Sequence, residues 1–138
     1  MSSSLEKHRN FIRARISTVS SHCPVCVQNN TNGILKVRPI SELHHIFGRA
    51  RSNPIDIRES IFGLMGLCNL HHTEYSPLLS INEYTSNIEK WNKFFGAYWS
   101  YIGLFTFITD DERKLRKKLF SFSTEELIIY FLKGNTLG

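Results

Sequence analysis

Three cysteines and two adjacent pairs of histidines carry the chemistry open to this chain. Cys23 and Cys26 stand as Cys-Pro-Val-Cys, and Cys68 and His71 as Cys-Asn-Leu-His. Tetrahedral zinc takes four sulfur or nitrogen ligands, and a two-residue gap lets both side chains of one turn face the same ion. A structural zinc on Cys23, Cys26, Cys68 and His71 uses every cysteine of the 138-residue chain. Between Cys26 and Cys68 lie 41 residues, where an ordinary zinc finger leaves roughly a dozen between its ligand pairs. That insertion must itself fold, and the ion would clamp its two ends and stabilise a small core. A redox role for Cys-Pro-Val-Cys competes with this reading, but it lacks the expected βαβ context and leaves the second turn unexplained.

His44 and His45 have no sulfur partner left. On a strand they point to opposite faces, so one can bind a metal while its neighbour addresses a substrate. His72 directly follows His71 and, on a helix, is rotated from it by roughly 100°, towards a second site. A divalent ion such as Mg²⁺, Mn²⁺ or Ni²⁺, held by His44 and His72 with positions left open, could polarise a phosphate and stabilise the leaving oxygen. His45, with an ordinary imidazole pKa of about 6.5, suits a general base acting on water. Core or surface histidines without chemistry are the plainer alternative, and the neighbouring zinc-type ligands weigh against it.

The elements that must hold these residues follow from pattern. From Ser4 to Thr18, Leu5, Phe11, Ile12 and Ile16 can share one helical face, with Lys7, Arg9, Arg13 and Arg15 mostly off it. Such a basic amphipathic helix can pack on the body while showing charge to solvent or DNA. Cys-Pro-Val-Cys reads as a tight turn. Residues 34–46, "ILKVRPISELHHI", alternate roughly as a strand or hairpin arm, and Ile61–Leu67 is a second apolar strand candidate. The polar, basic segment between them reads as a long connecting loop. After Cys68 the pattern is helical as far as Pro77. Ser80 with Glu83 has the spacing of a capping box at the start of a further helix, "SINEYTSNIEKWNKFF". "DDERKLRKKLF" places acids at a helix start and bases at its end, matching the macrodipole. A last helix has Ser123 or Thr124 as cap and Gly134 as stop. Residues 79–138 thus form a helical layer without a chemical cluster, and the bases of Arg113–Lys118 read as a solvated helix face.

Composition narrows the partners. Residues 1–54 hold eight Lys and Arg against two acids, and residues 55–138 hold nine against ten. A basic half suggests a polyanionic partner, because each cation that neutralises a phosphate releases condensed counterions. An odd cysteine count argues against a disulfide framework, and "MSSSLEKHRN" lacks the apolar core of a signal peptide. Both point to a reducing compartment. The longest uncharged run, Phe94–Thr109, has 16 residues, short of the roughly 20 that span a bilayer. It reads as a buried aromatic element, or as an interface between monomers of a homodimer.

In order and spacing the cysteine and histidine motifs resemble the HNH endonucleases, the zinc-clamped branch of the ββα-metal fold. "CPVC", "LHHI", "GLC" and "NLHH" occur in the family's order, and the resemblance covers Cys23 to Glu74, over a third of the chain. It implies one α+β domain: a small ββα-metal core with a structural zinc at 21–78, flanked by the N-terminal helix (1–20) and a helical C-terminal extension (79–138). By position it implies His44 and His72 as catalytic-metal ligands, His45 as general base, and zinc on Cys23, Cys26, Cys68 and His71. "HHIFG" followed by "LC-x-x-HH" is similar to small phage-encoded members, which implies the cytoplasm of a bacterial host.

Two positions depart from the family pattern. Its central Asn, which braces the loop carrying the general base, falls at Gly63, and Asn53 in the connecting loop could stand in for it. A third metal histidine, found in some members, falls at Ser76, leaving two histidines with Glu74 as a remote further ligand. The leading expectation is a metal-dependent DNA endonuclease that nicks one strand per active site. Arg49 and Arg51, just past the catalytic strand, and Arg13 and Arg15 of the first helix would hold phosphates. The alternative is a zinc module that binds DNA or protein and has lost hydrolysis.

Overall fold

A computed structural model describes residues 4–30, 33, 36–49, 56–106 and 108–134. The fold is α+β, with helices around a two-stranded antiparallel sheet. Helix α1 (Ser4–Val19) is followed by α2 (Pro24–Asn29), strand β1 (Glu42–His45), a 3-10 turn (Ile57–Glu59), strand β2 (Leu64–Leu67) and α3 (Asn69–Glu74). Helices α4 (Ile81–Thr85), α5 (Ile88–Ile102), α6 (Asp110–Phe120) and α7 (Thr124–Lys133) complete the described chain.

The sheet is short and its register sets everything near it. Glu42 pairs with Leu67, Leu43 with Gly66, His44 with Met65 and His45 with Leu64. Backbone bonds from Ser41 N to Leu67 O (3.0 Å) and from Ile46 N to Gly63 O (3.0 Å) extend the pairing by one residue at each end. Strand alternation puts Glu42 and His44 on one face, towards α3 and α5, and Leu43 and His45 on the other. The strand expected over 34–46 is thus confined to its last third. Among the described residues upstream, pairing is reduced to one bridge between His22 and Pro39, and proline has no N–H to continue a ladder. Ile61–Gly63, expected as strand, form the turn that leads into β2.

Caps begin most helices. Pro24 opens α2 at a position where a missing N–H costs nothing, so Cys-Pro-Val-Cys starts a helix rather than a bare turn. Cys68 caps α3, its Sγ accepting from His71 N. Ser80, Thr109 and Ser123 each accept from the backbone N–H three residues on, and Ser123 and Glu126 form the reciprocal capping box. The single helix expected from Ser80 breaks at Ser86 and Asn87. There Ser86 Oγ donates to Asn82 O (2.6 Å) and Asn87 Nδ2 to Glu83 O (2.7 Å), side-chain bonds that compete with helix continuation.

The core is aromatic. Trp91, Phe94, Phe95, Tyr98 and Tyr101 of α5 are buried, and Phe47 stacks on Phe131 with ring centroids 4.5 Å apart. Buried hydroxyls tie this layer to the sheet turns: Tyr98 donates to Phe62 O (2.6 Å), and Tyr84 donates to Ile46 O (3.1 Å) while accepting from Leu78 N. Ile12 and Ile16 anchor α1, whereas Phe11, expected on the same face, is 53% exposed. Among the described residues no helix is long and apolar enough to cross a membrane.

Candidate functional site

Two short helices and the end of β2 bring the cysteines together. Cys23 and Cys26 sit at the start of α2, Cys68 ends β2 and caps α3, and His71 lies one turn into α3. All four are buried, and their ligand atoms lie within 4.8 Å of one another. His71 Nδ1 stands 3.5 Å from Cys23 Sγ, 3.4 Å from Cys26 Sγ and 3.3 Å from Cys68 Sγ, and Cys26 Sγ lies 3.8 Å from Cys68 Sγ. A tetrahedral zinc with bonds of about 2.3 Å to sulfur and about 2.0–2.1 Å to nitrogen separates adjacent ligands by about 3.8 Å (S to S) and about 3.5 Å (S to N). Four of the six edges thus have the lengths of a zinc-sized tetrahedron. Burial pushes the Cys23 thiol up to about 12, so a bound cation would be what turns it into a thiolate ligand. Burial also lowers the pKa of His71, which suits the neutral form a ligand needs. His71 Nε2 faces Glu74 Oε2 at 3.9 Å, the outer carboxylate common behind metal-bound histidines. Glu74 thus stands behind the zinc site rather than at a second ion.

His44 and His72 meet on the α3 side of the sheet. Their rings are edge to face with centroids 5.1 Å apart, and Phe94 of α5 covers His44 at 6.4 Å. His44 is fully buried, and its ring nitrogens make no well-formed hydrogen bond, the Tyr75 backbone being the polar group close enough to act on them. Burial, with smaller effects from His72 and His45, pushes its pKa down to about 3, against a slight opposing pull from the Tyr75 backbone. Such a group is neutral and poorly satisfied, a costly state for an imidazole that does nothing. Glu42, two residues earlier on the same strand face, contacts His72 Nδ1. Among the described residues, only the Cys23, Cys26, Cys68 and His71 group gathers three or more metal-type ligand atoms. The His44 and His72 pair is therefore a two-histidine arrangement that gathers no third ligand atom among the described residues.

His45 faces the other way. Its Nε2 lies 3.3 Å from Glu59 Oε2, and Glu59, on the 3-10 turn, has no exposed surface. Arg9 of α1 grips the same carboxylate with both prongs, Nε to Oε2 at 2.9 Å and a terminal nitrogen to Oε1 at 2.6 Å, while His8 contacts the Glu59 backbone carbonyl. Burial opposes ionisation of Glu59, but the bonds and charges of Arg9 and His45 outweigh it and hold the carboxyl at about 2. The carboxylate is thus ionised at any ordinary pH.

Gly63 is explained by the same turn. A Cβ there would sit 2.6 Å from Arg58 Cα and 2.7 Å from its carbonyl oxygen, so only glycine lets the Ile57–Glu59 turn lie against the start of β2. Ser76 cannot serve as a helical ligand, because α3 ends at Glu74 and Ser76 Oγ bonds back to His72 O and Thr73 O.

The arginines divide. Arg15 is committed to packing: it pairs with Glu112 (2.8 Å) and lies over the Phe105 ring. Arg13 is exposed, bonded to Asn10, on a shallow groove beside Glu42 and Leu43. Arg49 is exposed on the rim of a cleft of about 980 Å³ that also includes Arg9, Arg58 and Lys133. Arg51 and Asn53 lie outside the described residues.

Sequence reasoning missed Glu42, Glu59 and Arg9. Glu42 was readable, since a period of two places it beside His44. Glu59 carried no signal in a segment that reads as polar loop, and Arg9 reads as one cation among several on a basic helix. The chain matches no protein-family model, no curated protein and no solved structure.

Proposed function

We propose that the chain is a metal-dependent DNA endonuclease of the HNH kind, with β1, β2 and α3 as its ββα-metal core and a zinc on Cys23, Cys26, Cys68 and His71. The observation that carries this reading is the opposite treatment of two adjacent histidines. His44 is buried beside His72 without a well-formed hydrogen bond on its ring, while His45 is turned across the sheet onto an ionised carboxylate. Strand alternation alone turns neighbours apart; what packing alone does not supply is a second histidine beside the one and an arginine-held carboxylate beside the other.

A divalent ion, when bound, supplies Lewis-acid stabilisation of the scissile phosphate and its leaving oxygen. His44, kept neutral by burial, offers a ring nitrogen to it. Glu42 accepts from His72 Nδ1, leaving Nε2 of that ring as the ligand atom, the usual role of an outer carboxylate. His45 takes the proton of the attacking water. Arg49 and Arg13, both exposed, hold the DNA backbone, a contact that weakens with salt. One such site cuts one strand.

The test is a supercoiled plasmid incubated with Mg²⁺, Mn²⁺ or Ni²⁺ and wild-type protein, His45→Ala or Cys68→Ser. Nicked circles should be the first product of the wild type. His45→Ala should remove nicking while retaining one zinc and the wild-type circular dichroism spectrum. If the wild type cuts no substrate with any of these metals, the chain is instead a zinc-based binding module.

A further inference from the structure

We propose that Glu59, locked by Arg9, fixes His45 as the tautomer protonated at Nε2, so that Nδ1 is the atom that accepts the proton of water. The proposal rests on the nuclease reading for the role of His45, but the tautomer itself follows from geometry alone. An ionised carboxylate can only accept hydrogen bonds. Glu59 is ionised, fully buried and held on both oxygens by Arg9. The imidazole nitrogen that faces it at 3.3 Å must therefore carry hydrogen. In the neutral ring the remaining nitrogen, Nδ1, is then an acceptor.

Glu59 acts through His45 and is a positioning residue. Three features keep it in place. The two-pronged grip of Arg9 leaves little rotational freedom, because a planar guanidinium and a carboxylate match in only a few orientations. The 3-10 turn that carries Glu59 is itself capped, with Asp56 Oδ1 accepting from Arg58 N (2.8 Å) and from Arg58 Nε (3.0 Å). Gly63 gives the turn room to lie one residue from Leu64, the strand partner of His45. Carboxylate, turn and base are thus parts of one rigid corner, and α1 closes it from outside.

Where a buried carboxylate orients a base histidine, its loss leaves the geometry in place but frees the wrong tautomer. The expected signature is a fall in kcat with little change in the KM for DNA. The experiment is ¹⁵N–¹H correlation of the histidine rings in the zinc-loaded full chain, with His45 assigned by its disappearance in His45→Gln. It is repeated for Glu59→Gln and Glu59→Asp and combined with plasmid-nicking kinetics. The wild type should show hydrogen on Nε2 and a bare Nδ1. Glu59→Gln should mix the tautomers and lower kcat by about 10–100-fold, the range typical of outer-sphere partners of histidine. Glu59→Asp, which restores the charge, should recover part of both. Hydrogen on Nδ1 in the wild type overturns the proposal without any variant needing to fold. An unchanged kcat in folded Glu59→Gln also overturns it, while leaving the nuclease reading intact. A wild type that shows the Nε2 tautomer but nicks no DNA overturns the nuclease reading and the base role of Nδ1, while the tautomer lock stands.

Discussion

Gly63 shows how a single residue can be misjudged from sequence. Against the family pattern it reads as a missing brace. In the structure it is the space into which another brace is built, since the backbone of Arg58 passes where any side chain would start. Restoring the family residue should therefore harm the protein. Gly63→Asn is expected to cost about 1–3 kcal/mol, as overpacking of a tight site usually does, and to reduce nicking. Chemical denaturation and plasmid assays on the same preparation would check both, and a variant as stable as the wild type with faster nicking would contradict this account. The cluster of Cys23, Cys26, Cys68 and His71 was legible at this scale because ligand chemistry resides in residue type and spacing. Glu59 was not legible, because its importance arises only when a turn crosses a strand 14 residues away from the histidine it serves.

At the scale of elements, α2, β2 and α3 are too short to persist alone. Helices of six residues fall well below the length of about 12–15 at which isolated helices become even marginal in water. The clustered cysteines and His71 supply what their length does not. Removing the metal with a strong chelator, or replacing Cys68 by Ser, should cost several kcal/mol. Loss of helical signal at 222 nm and a lower melting temperature would report it, with zinc measured by elemental analysis. A protein purified without chelator that contains no zinc and melts unchanged would remove the clamp from the account. The same scale explains which elements the sequence got right. Helix α6 was readable from the acids at its start and the bases at its end, and α7 from Ser123 and Gly134. The break between α4 and α5 was hidden, because Ser86 and Asn87 are ordinary helix-surface residues until their side chains turn back onto carbonyls. The long strand expected before His44 failed for want of a partner, with β2 only four residues long.

Across the whole molecule, Arg9 joins the N-terminal helix to the centre through Glu59, and this bond has a pH signature. The carboxyl titrates at about 2 in the folded protein against about 4.3 in an unfolded chain. A depressed carboxyl contributes stability that is complete above its unfolded pKa and is lost as pH falls through its folded pKa. Glu59 should thus contribute about 2 kcal/mol at neutral pH, after allowance for solvent screening at Arg9. That contribution should fade as pH drops from about 5 to about 2. Urea midpoints measured against pH for the wild type and Glu59→Gln would isolate it. The gap between the two should narrow over that acid range, and a gap independent of pH would show that the pair contributes through packing alone.

The pairing of β1 with β2 has one more implication, which concerns odd and even positions. His44 and His45 differ in nothing but parity: one stands opposite Met65 and the other opposite Leu64. A slip of one place along β2 would hand each the other's surroundings, sending His45 under Phe94 and His44 towards Glu59. The chain therefore stores the division of labour in a count of residues rather than in any difference between the two side chains. Insertions or deletions of a single residue near this hairpin would be read as an exchange of roles, whereas changes of two would preserve them.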